Sequence, residues 1–218
     1  MTADPLYAGF FITLEGGEGA GKSTQIQCLA DALRKAGHDV VVTREPGGSP
    51  GAEAIRGLIL TGGYGFSPVT EALLFSAARV DHLEKTIRPA LARGAIVVCD
   101  RFADSTRAYQ GASSGADHGI VDALEHIAVG STQPDLTLIL DLPAAEGLAR
   151  AALRRGGDQP DRFESEAVAF HDKLRASFLA IAESEPERCV VIDASQSIDV
   201  MAQQIQAIVF NKIAVRAA

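Results

Sequence analysis

The chain has 218 residues, 47% of them apolar and 22% charged, with a formal net charge of −8. Such a composition suits one globular unit with a real core and excludes collagen-like and low-complexity chains. The acidic balance argues against a nucleic-acid coat or a polybasic membrane binder, since both need basic surfaces.

In chain order, β-branched or aromatic runs at residues 10–15, 40–44, 95–100, 137–142 and 189–193 read as strands. Their near-continuous apolar character predicts parallel strands covered on both faces. Helical patterns lie between them. Residues 22–36 place Ile26, Leu29, Ala30 and Leu33 at helical spacing, and Gly37 fits the stop position. Ser67-Pro68 reads as an N-cap with Pro in the first turn of a long helix running to Arg93, with Pro89 breaking its end. Phe163, Ala167, Phe170, Leu174, Phe178 and Ile181 mark a further helix, and residues 198–210 the last. Polar or Gly-rich stretches at 61–67, 110–119 and 154–161 read as loops. The alternation of strand and helix predicts an α/β fold: a five-stranded parallel sheet in a three-layer αβα sandwich, one domain over residues 1–218.

No run of ~18 apolar residues suggests a membrane span, and residues 1–8 lack the charged start of a signal peptide. The three cysteines, Cys28, Cys99 and Cys189, lack metal-ligand spacing and read as buried reduced thiols. Together these predict a cytoplasmic protein. The histidines His38, His82, His118, His126 and His171 are scattered and read as surface or helix-end residues.

Residues 16–23, Gly16-Gly17-Glu18-Gly19-Ala20-Gly21-Lys22-Ser23, fit G-x-x-x-x-G-K-[ST] at every fixed position. A strand precedes them and an amphipathic helix follows. Glycines let backbone N–H groups turn inward toward phosphate oxygens, and the helix N-terminus favours an anion. Lys22 supplies a point charge for the β- and γ-phosphates, and the Ser23 hydroxyl a ligand for Mg²⁺. A nucleoside triphosphate with Mg²⁺ is the expected ligand.

Such loops serve kinases, ATPases and switch GTPases alike. A base-reading N-K-x-D is missing: the one Asn-Lys pair, Asn211-Lys212, is followed by Ile213 and Ala214. That counts against a switch GTPase, and the net charge counts against a DNA-dependent ATPase. Asp100-Arg101-Phe102 follows the third strand. An acidic residue there can hold the Mg²⁺ hydration shell, and Arg101 offers a bidentate donor to a second phosphate.

Further segments carry a resemblance. Residues 15–24, then Thr43-Arg44-Glu45-Pro46-Gly47-Gly48, Phe75-Ser76-Ala77-Ala78-Arg79, Asp100-Arg101-Phe102, Ser105-Thr106-Arg107-Ala108-Tyr109-Gln110-Gly111 and Pro134-Asp135-Leu136-Thr137 leading into Leu140-Asp141-Leu142 stand in order. Together they resemble the thymidylate kinase family over roughly residues 10–185. The resemblance implies transfer of the ATP γ-phosphate to dTMP, by a P-loop fold with a lid segment. It implies an ATP site at Gly16, Gly17, Gly19, Ala20, Gly21, Lys22, Ser23 and Thr24, with Ser23 and Asp100 at the metal. It also implies a dTMP site of Glu18, Arg44, Pro46, Phe75, Arg79, Arg101, Thr106, Tyr109 and Gln110, and a homodimer.

Within that set, the resemblance makes Phe75 a stacking platform for thymine and Arg79 a donor to its O4, with Thr106 and Gln110 at the base edge. Tyr109 packs against the sugar C2′, Glu18 serves the 3′-hydroxyl or the metal, and Arg44 meets the acceptor phosphate. Glu45-Pro46 is a candidate cis bond. Because the acceptor phosphate has a second pKa of about 6, it needs no general base. Catalysis then rests on alignment and charge neutralisation by Lys22, Arg101 and a lid arginine.

Arginine dominates the basic residues, fifteen to five lysines, and four of them (Arg150, Arg154, Arg155 and Arg162) cluster in residues 150–162 around Gly156-Gly157. This segment reads as a lid closing over ATP. In this family a basic residue comes from the loop or the lid, and Gly17, Glu18, Gly19 and Ala20 supply none. Arg155 or Arg154 is therefore the candidate for stabilising transferred charge.

Overall fold

The computed structural model describes residues 7–60, 64–113, 117–155 and 166–217. Strand β1, Phe10–Gly16, is buried along its whole length. It is flanked by β3, Ile96–Asp100, and β4, Leu136–Asp141, while β2, Val40–Arg44, and β5, Cys189–Asp193, form the edges. All four pairings are parallel, in the order β2-β3-β1-β4-β5. The strand prediction thus holds to within one residue at each end. The two edge strands depart from the expected double cover: β2 is only half-buried, and Val191 of β5 is exposed.

Side chains alternate across the sheet. Ile12 and Leu14 face one layer with Val98, Leu138 and Leu140. Helix α1, Lys22–Lys35, covers that face with Ile26, Leu29 and Leu33, and α9, Ile198–Ala217, with Met201, Ile205 and Val209. Each such leucine, fully buried, contributes about 1.5–3 kcal/mol of transfer energy. Phe11, Val97 and Cys99 face the other layer, against Leu83, Ile87 and Leu91. Farther along that face Ile139 meets Leu174 and Phe178 of α8, Val168–Ser184.

Several helices differ from the sequence reading. The helix from Pro68 is capped by Ser67, whose hydroxyl accepts from the Thr70 N–H at 3.2 Å. It runs as α3, Pro68–His82, then one π-helical segment, Leu83–Ile87, then α4, Arg88–Ala92, with Pro89 in the first turn. Helix α2, Pro50–Leu60, was not expected. Residues 110–119 were expected as a loop. Of these, 110–113 end a π-helical segment, Arg107–Ser113, which follows α5, Ala103–Thr106, and 118–119 open α6, His118–Val129, while 114–116 lie outside the described residues. The lid segment begins inside α7, Ala144–Arg155, and its remainder lies outside the described residues. The last helix reaches Ala217, seven residues past the expected end, and its Arg216 donates to the Tyr7 carbonyl at 2.7 Å.

Two expectations about single residues hold only in part. His82 closes α3 and His171 stands in the first turn of α8, both helix-end positions, but both are buried, because each lies on the inner face of its helix. Cys28 is only half-buried, while Cys99 and Cys189 are buried, and all three are free thiols.

Candidate active site

β1 leaves the sheet between β3 and β4, which is where strand order reverses and a ligand cleft opens beyond the carboxyl ends. The glycine loop follows it and turns into α1. Gly19 has φ +68°, and a Cβ there would stand 2.0 Å from the Gly147 carbonyl of α7. Any larger residue would push the loop off that helix. Lys22 folds back and donates to the carbonyls of Gly16 and Gly17, at 3.0 and 2.8 Å. Burial first, and Arg101 second, lower its pKa.

Across the loop, Arg101 has φ +67°, the one left-handed non-glycine among the described residues. Such a backbone costs energy that the surroundings must supply. The Phe102 N–H is held by Glu15 at 2.7 Å, the Ser105 hydroxyl binds the same carboxylate at 2.6 Å, and the Arg101 N–H donates to Leu14 at 3.0 Å. The guanidinium then reaches Glu18 at 2.6 Å and the Gly16 carbonyl at 3.1 Å. Tyr109 donates to the same Glu18 oxygen at 3.0 Å. Burial pushes the Glu18 carboxyl up, but Arg101 and Lys22 outweigh it and hold the pKa at about 2.

A cavity of about 240 Å³ joins this cradle to a second wall. Its lining includes Glu18, Gly19, Ala20, Gly21, Lys22 and Ser23 from the loop, and Asp100, Arg101, Thr106, Tyr109 and Gln110 from the segments after β3. Arg44, Pro46, Phe75, Arg79 and Arg154 complete the expected set. Gly16 and Gly17 stand behind it as acceptors for Lys22, and Thr24 lies on the exposed side of α1, off the cavity. The side chain of Arg155 lies outside the described residues. Glu45-Pro46 is a cis bond, as expected.

Four residues on or behind this wall were given no site role in the sequence. Arg56 of α2 lines the cavity and donates to the Pro46 carbonyl at 2.7 Å. Glu45 is the buried partner of Arg79, at 2.8 Å. Glu15 and Ser105 hold the Arg101 turn. Glu15, Glu45 and Ser105 stand within the quoted motifs, whose spacing marks where polar residues cluster but not which of them face inward, whereas Arg56 stands in none of them.

Two atoms point to a ligand. Gln110 is almost wholly buried, yet its Nε2 has no hydrogen-bond partner among the described residues. Asp100 Oδ1 is likewise buried and unpartnered, while Oδ2 accepts from the Ser23 hydroxyl at 3.1 Å. Buried polar atoms rarely stay unsatisfied without a reason.

The thymidylate kinase family profile matches residues 14–205. The chain belongs to the thymidylate kinase family. It is 61% identical over 206 residues to the thymidylate kinase of Caulobacter vibrioides, covering 94% of this chain and 98% of that one. It is 54% identical over 205 residues to that of Nitrobacter winogradskyi, covering 94% and 89%. The crystal structure of thymidylate kinase from Ehrlichia chaffeensis superposes with a TM-score of 0.74 at 33% identity, over 92% of this chain and 98% of that one. The α/β fold with a five-stranded parallel sheet is thus the family's own.

Proposed function

We propose that this cleft holds dTMP on the wall of Phe75 and Arg79 and receives the ATP γ-phosphate from the glycine loop. Family membership makes the chain a phosphotransferase that converts dTMP to dTDP with ATP, a step in dTTP synthesis. The observation that carries the site reading is one cavity joining a phosphate cradle to a set suited to a base. The whole of it sits on a single kinase domain with its lid.

Phe75 and Arg79 stand one helical turn apart on α3, so both reach the same cavity. Stacking on an aromatic contributes about 1–3 kcal/mol per base. Arg79 rejects a cytosine, whose amino group stands where thymine has an acceptor. Thr106 and the unpartnered Gln110 amide take the base edge. Tyr109 occupies the space of a ribose hydroxyl, and Glu18 accepts from the 3′-hydroxyl. Arg44 and Arg101 hold the acceptor phosphate, which is itself the nucleophile. No side chain needs to take a proton; the residues orient two anions and offset their repulsion.

Ser23 and Asp100 fit the magnesium ion that accompanies ATP: a hydroxyl beside a carboxylate with one buried, unpartnered oxygen. Among the described residues no group of three His, Cys, Asp or Glu forms a dedicated cage, which suits an ion held by one carboxylate, water and phosphates. When bound, that ion neutralises phosphate charge. Lys22 contributes a positive charge at the loop, and Arg154 or Arg155 closes over the transferred group.

The same reading includes a homodimer and a cytoplasmic location. Leu58, Leu73 and Ile127 stand 43%, 51% and 76% exposed on α2, α3 and α6, which pack side by side. A second copy would cover them. Among the described residues no helix is long and apolar enough to cross a membrane.

A coupled assay with ATP and a panel of monophosphates tests the function. Turnover of dTMP well above dCMP, AMP and GMP is expected. An inert dTMP with another monophosphate turning over would overturn it.

A further inference from the structure

Behind Arg79 runs a buried polar chain, through Thr43, His82 and Glu45, that none of the ligand contacts above uses. The Thr43 hydroxyl lies 2.6 Å from Nε2 of His82. Nδ1 of His82 lies 3.1 Å from Oε1 of Glu45. Oε2 of Glu45 accepts from Nε of Arg79 at 2.8 Å. Nη2 of Arg79 donates to the Phe102 carbonyl at 3.1 Å and the Thr106 hydroxyl at 3.0 Å. The His82 side chain is fully buried, and those of Glu45 and Arg79 are 4% and 2% exposed.

The donor and acceptor pattern fixes how this chain works. A carboxylate only accepts, so Nδ1 of His82 carries the hydrogen that Glu45 receives. In the neutral ring Nε2 then accepts, and the Thr43 hydroxyl is its donor. Every link is satisfied without a solvent molecule. Gly48 leaves room for the first link: a Cβ there would lie 2.4 Å from both His82 Nε2 and Thr43 Oγ1. Its φ of +83° also favours glycine. The segment from Thr43 to Gly48 thus supplies both partners of His82 and the space between them.

The consequence falls on Arg79. Its planar guanidinium is anchored on two nitrogens, Nε by Glu45 and Nη2 by Phe102 and Thr106. Two anchors in one plane fix the direction of the third nitrogen, Nη1, which no described hydrogen bond uses. Loss of the Glu45 anchor would let the plane turn about the Thr106 side. Glu45 in turn is a buried carboxylate whose second oxygen depends on His82.

We propose that His82 is a positioning residue for selection of the acceptor base: through Glu45 it fixes the plane in which Arg79 meets the base. This deepens the reading of Arg79 as the O4 donor and rests on it. A ring bonded at each of its two nitrogens does what a leucine of similar volume cannot, although both would fill the core.

The test uses the full chain and the variants His82→Leu, His82→Asn and Thr43→Val. For each, kcat and KM are measured for dTMP, dCMP and ATP, with the thermal midpoint. His82→Leu is expected to lower the ratio of kcat/KM for dTMP over dCMP by about tenfold, the loss of one hydrogen bond to a charged group, with KM for ATP unchanged. His82→Asn, whose amide places a donor near Nδ1, is expected to recover most of the ratio. An equal loss for dTMP and dCMP would overturn the proposal and leave His82 a core residue. Where His82→Leu does not fold, Thr43→Val decides. It removes only the far hydroxyl and is expected to lower the ratio by a smaller factor, and an unchanged ratio overturns the proposal. Failure of the underlying function reads differently, since the unaltered chain would then not prefer dTMP at all.

Discussion

Arg188 grips Asp104 with both terminal nitrogens, at 2.7 and 3.0 Å. Arg188 opens the turn into β5, while Asp104 sits in α5, two residues before Thr106 of the cavity wall. Arg188 also donates to Thr137 of β4 at 2.6 Å and to Glu185 at 2.8 Å. Arg107 reaches the same Asp104 at 3.0 Å. The short helix that carries Thr106 is therefore tied from beneath to the far edge of the sheet. Replacing Arg188 by Met leaves Asp104, only 2% exposed, with one cation where it had two. The expected cost is about 3 kcal/mol, at the low end for a broken buried pair, read as a shift of the urea midpoint. KM for dTMP should rise more than KM for ATP. Equal changes in both would assign Arg188 to the fold alone.

Glu15 gives the structure a pH dependence of known sign. Burial, and next the charge of Asp104, push its carboxyl up to about 7, against hydrogen bonds from Ser105 and Phe102 and the charge of Arg101. The native chain thus keeps a proton that the unfolded chain releases above pH 4.5. This contribution to stability is complete below the unfolded pKa and is lost as pH rises through the folded one. Glu15→Gln removes the titration. The difference in urea midpoint between the unaltered chain and this variant should change between pH 5 and 7.5, moving against the unaltered chain as pH rises. A constant difference would mean that Glu15 is ionised throughout.

Tyr109 separates two roles that one substitution would confuse. Its ring packs under Arg101, 5.1 Å from the guanidinium carbon to the ring centre, and its hydroxyl donates to Glu18. Tyr109→Phe keeps the ring and loses the hydrogen bond, so it should lower kcat/KM for dTMP by about tenfold and leave discrimination against UMP in place. Tyr109→Ala opens the space and should admit UMP. If discrimination survives in the alanine variant, the steric role is wrong.

The strands, the loop after β1 and the Ser67 cap were legible because each depends on neighbours in sequence. What escaped depends on neighbours in space. Helix α2 carries Gly51 and Gly57, a poor local signal, and its first turn is capped from α3: Asp81 accepts from Ser49, Gly51 and Ala52. The two π-helical segments follow from a backbone register with no local code. His82 read as a surface or helix-end residue, because one chain position cannot reveal that Glu45 stands beside it. Arg56 and Arg188 looked idle for the same reason. The motif that resembles the family located Phe75, Arg79, Tyr109 and Gln110 on the cavity, whereas Thr24 matched the motif and lies off it. Spacing marks a segment, and folding decides which of its side chains turn inward.

Two arginines of the expected lid segment differ in where they stand. Arg150 donates to the Ala194 carbonyl at 2.9 Å and to Glu146 at 2.6 Å, so it fastens α7 to the end of β5. Arg154, one turn later, stands on the cavity wall with the loop and Arg101. A group that offsets charge only as the phosphoryl moves should, when removed, depress kcat and leave acceptor binding nearly intact. Arg154→Ala is therefore expected to lower kcat by roughly 10²–10³-fold, the range for losing one such donor, with KM for dTMP little changed. Arg150→Ala should lower the thermal midpoint and spare kcat. An unchanged kcat in Arg154→Ala, with a fall in Arg155→Ala, would move the role one residue along the chain. A fall in KM-dependent binding alone would make Arg154 part of the wall, with the transferred charge met by Lys22 and Arg101.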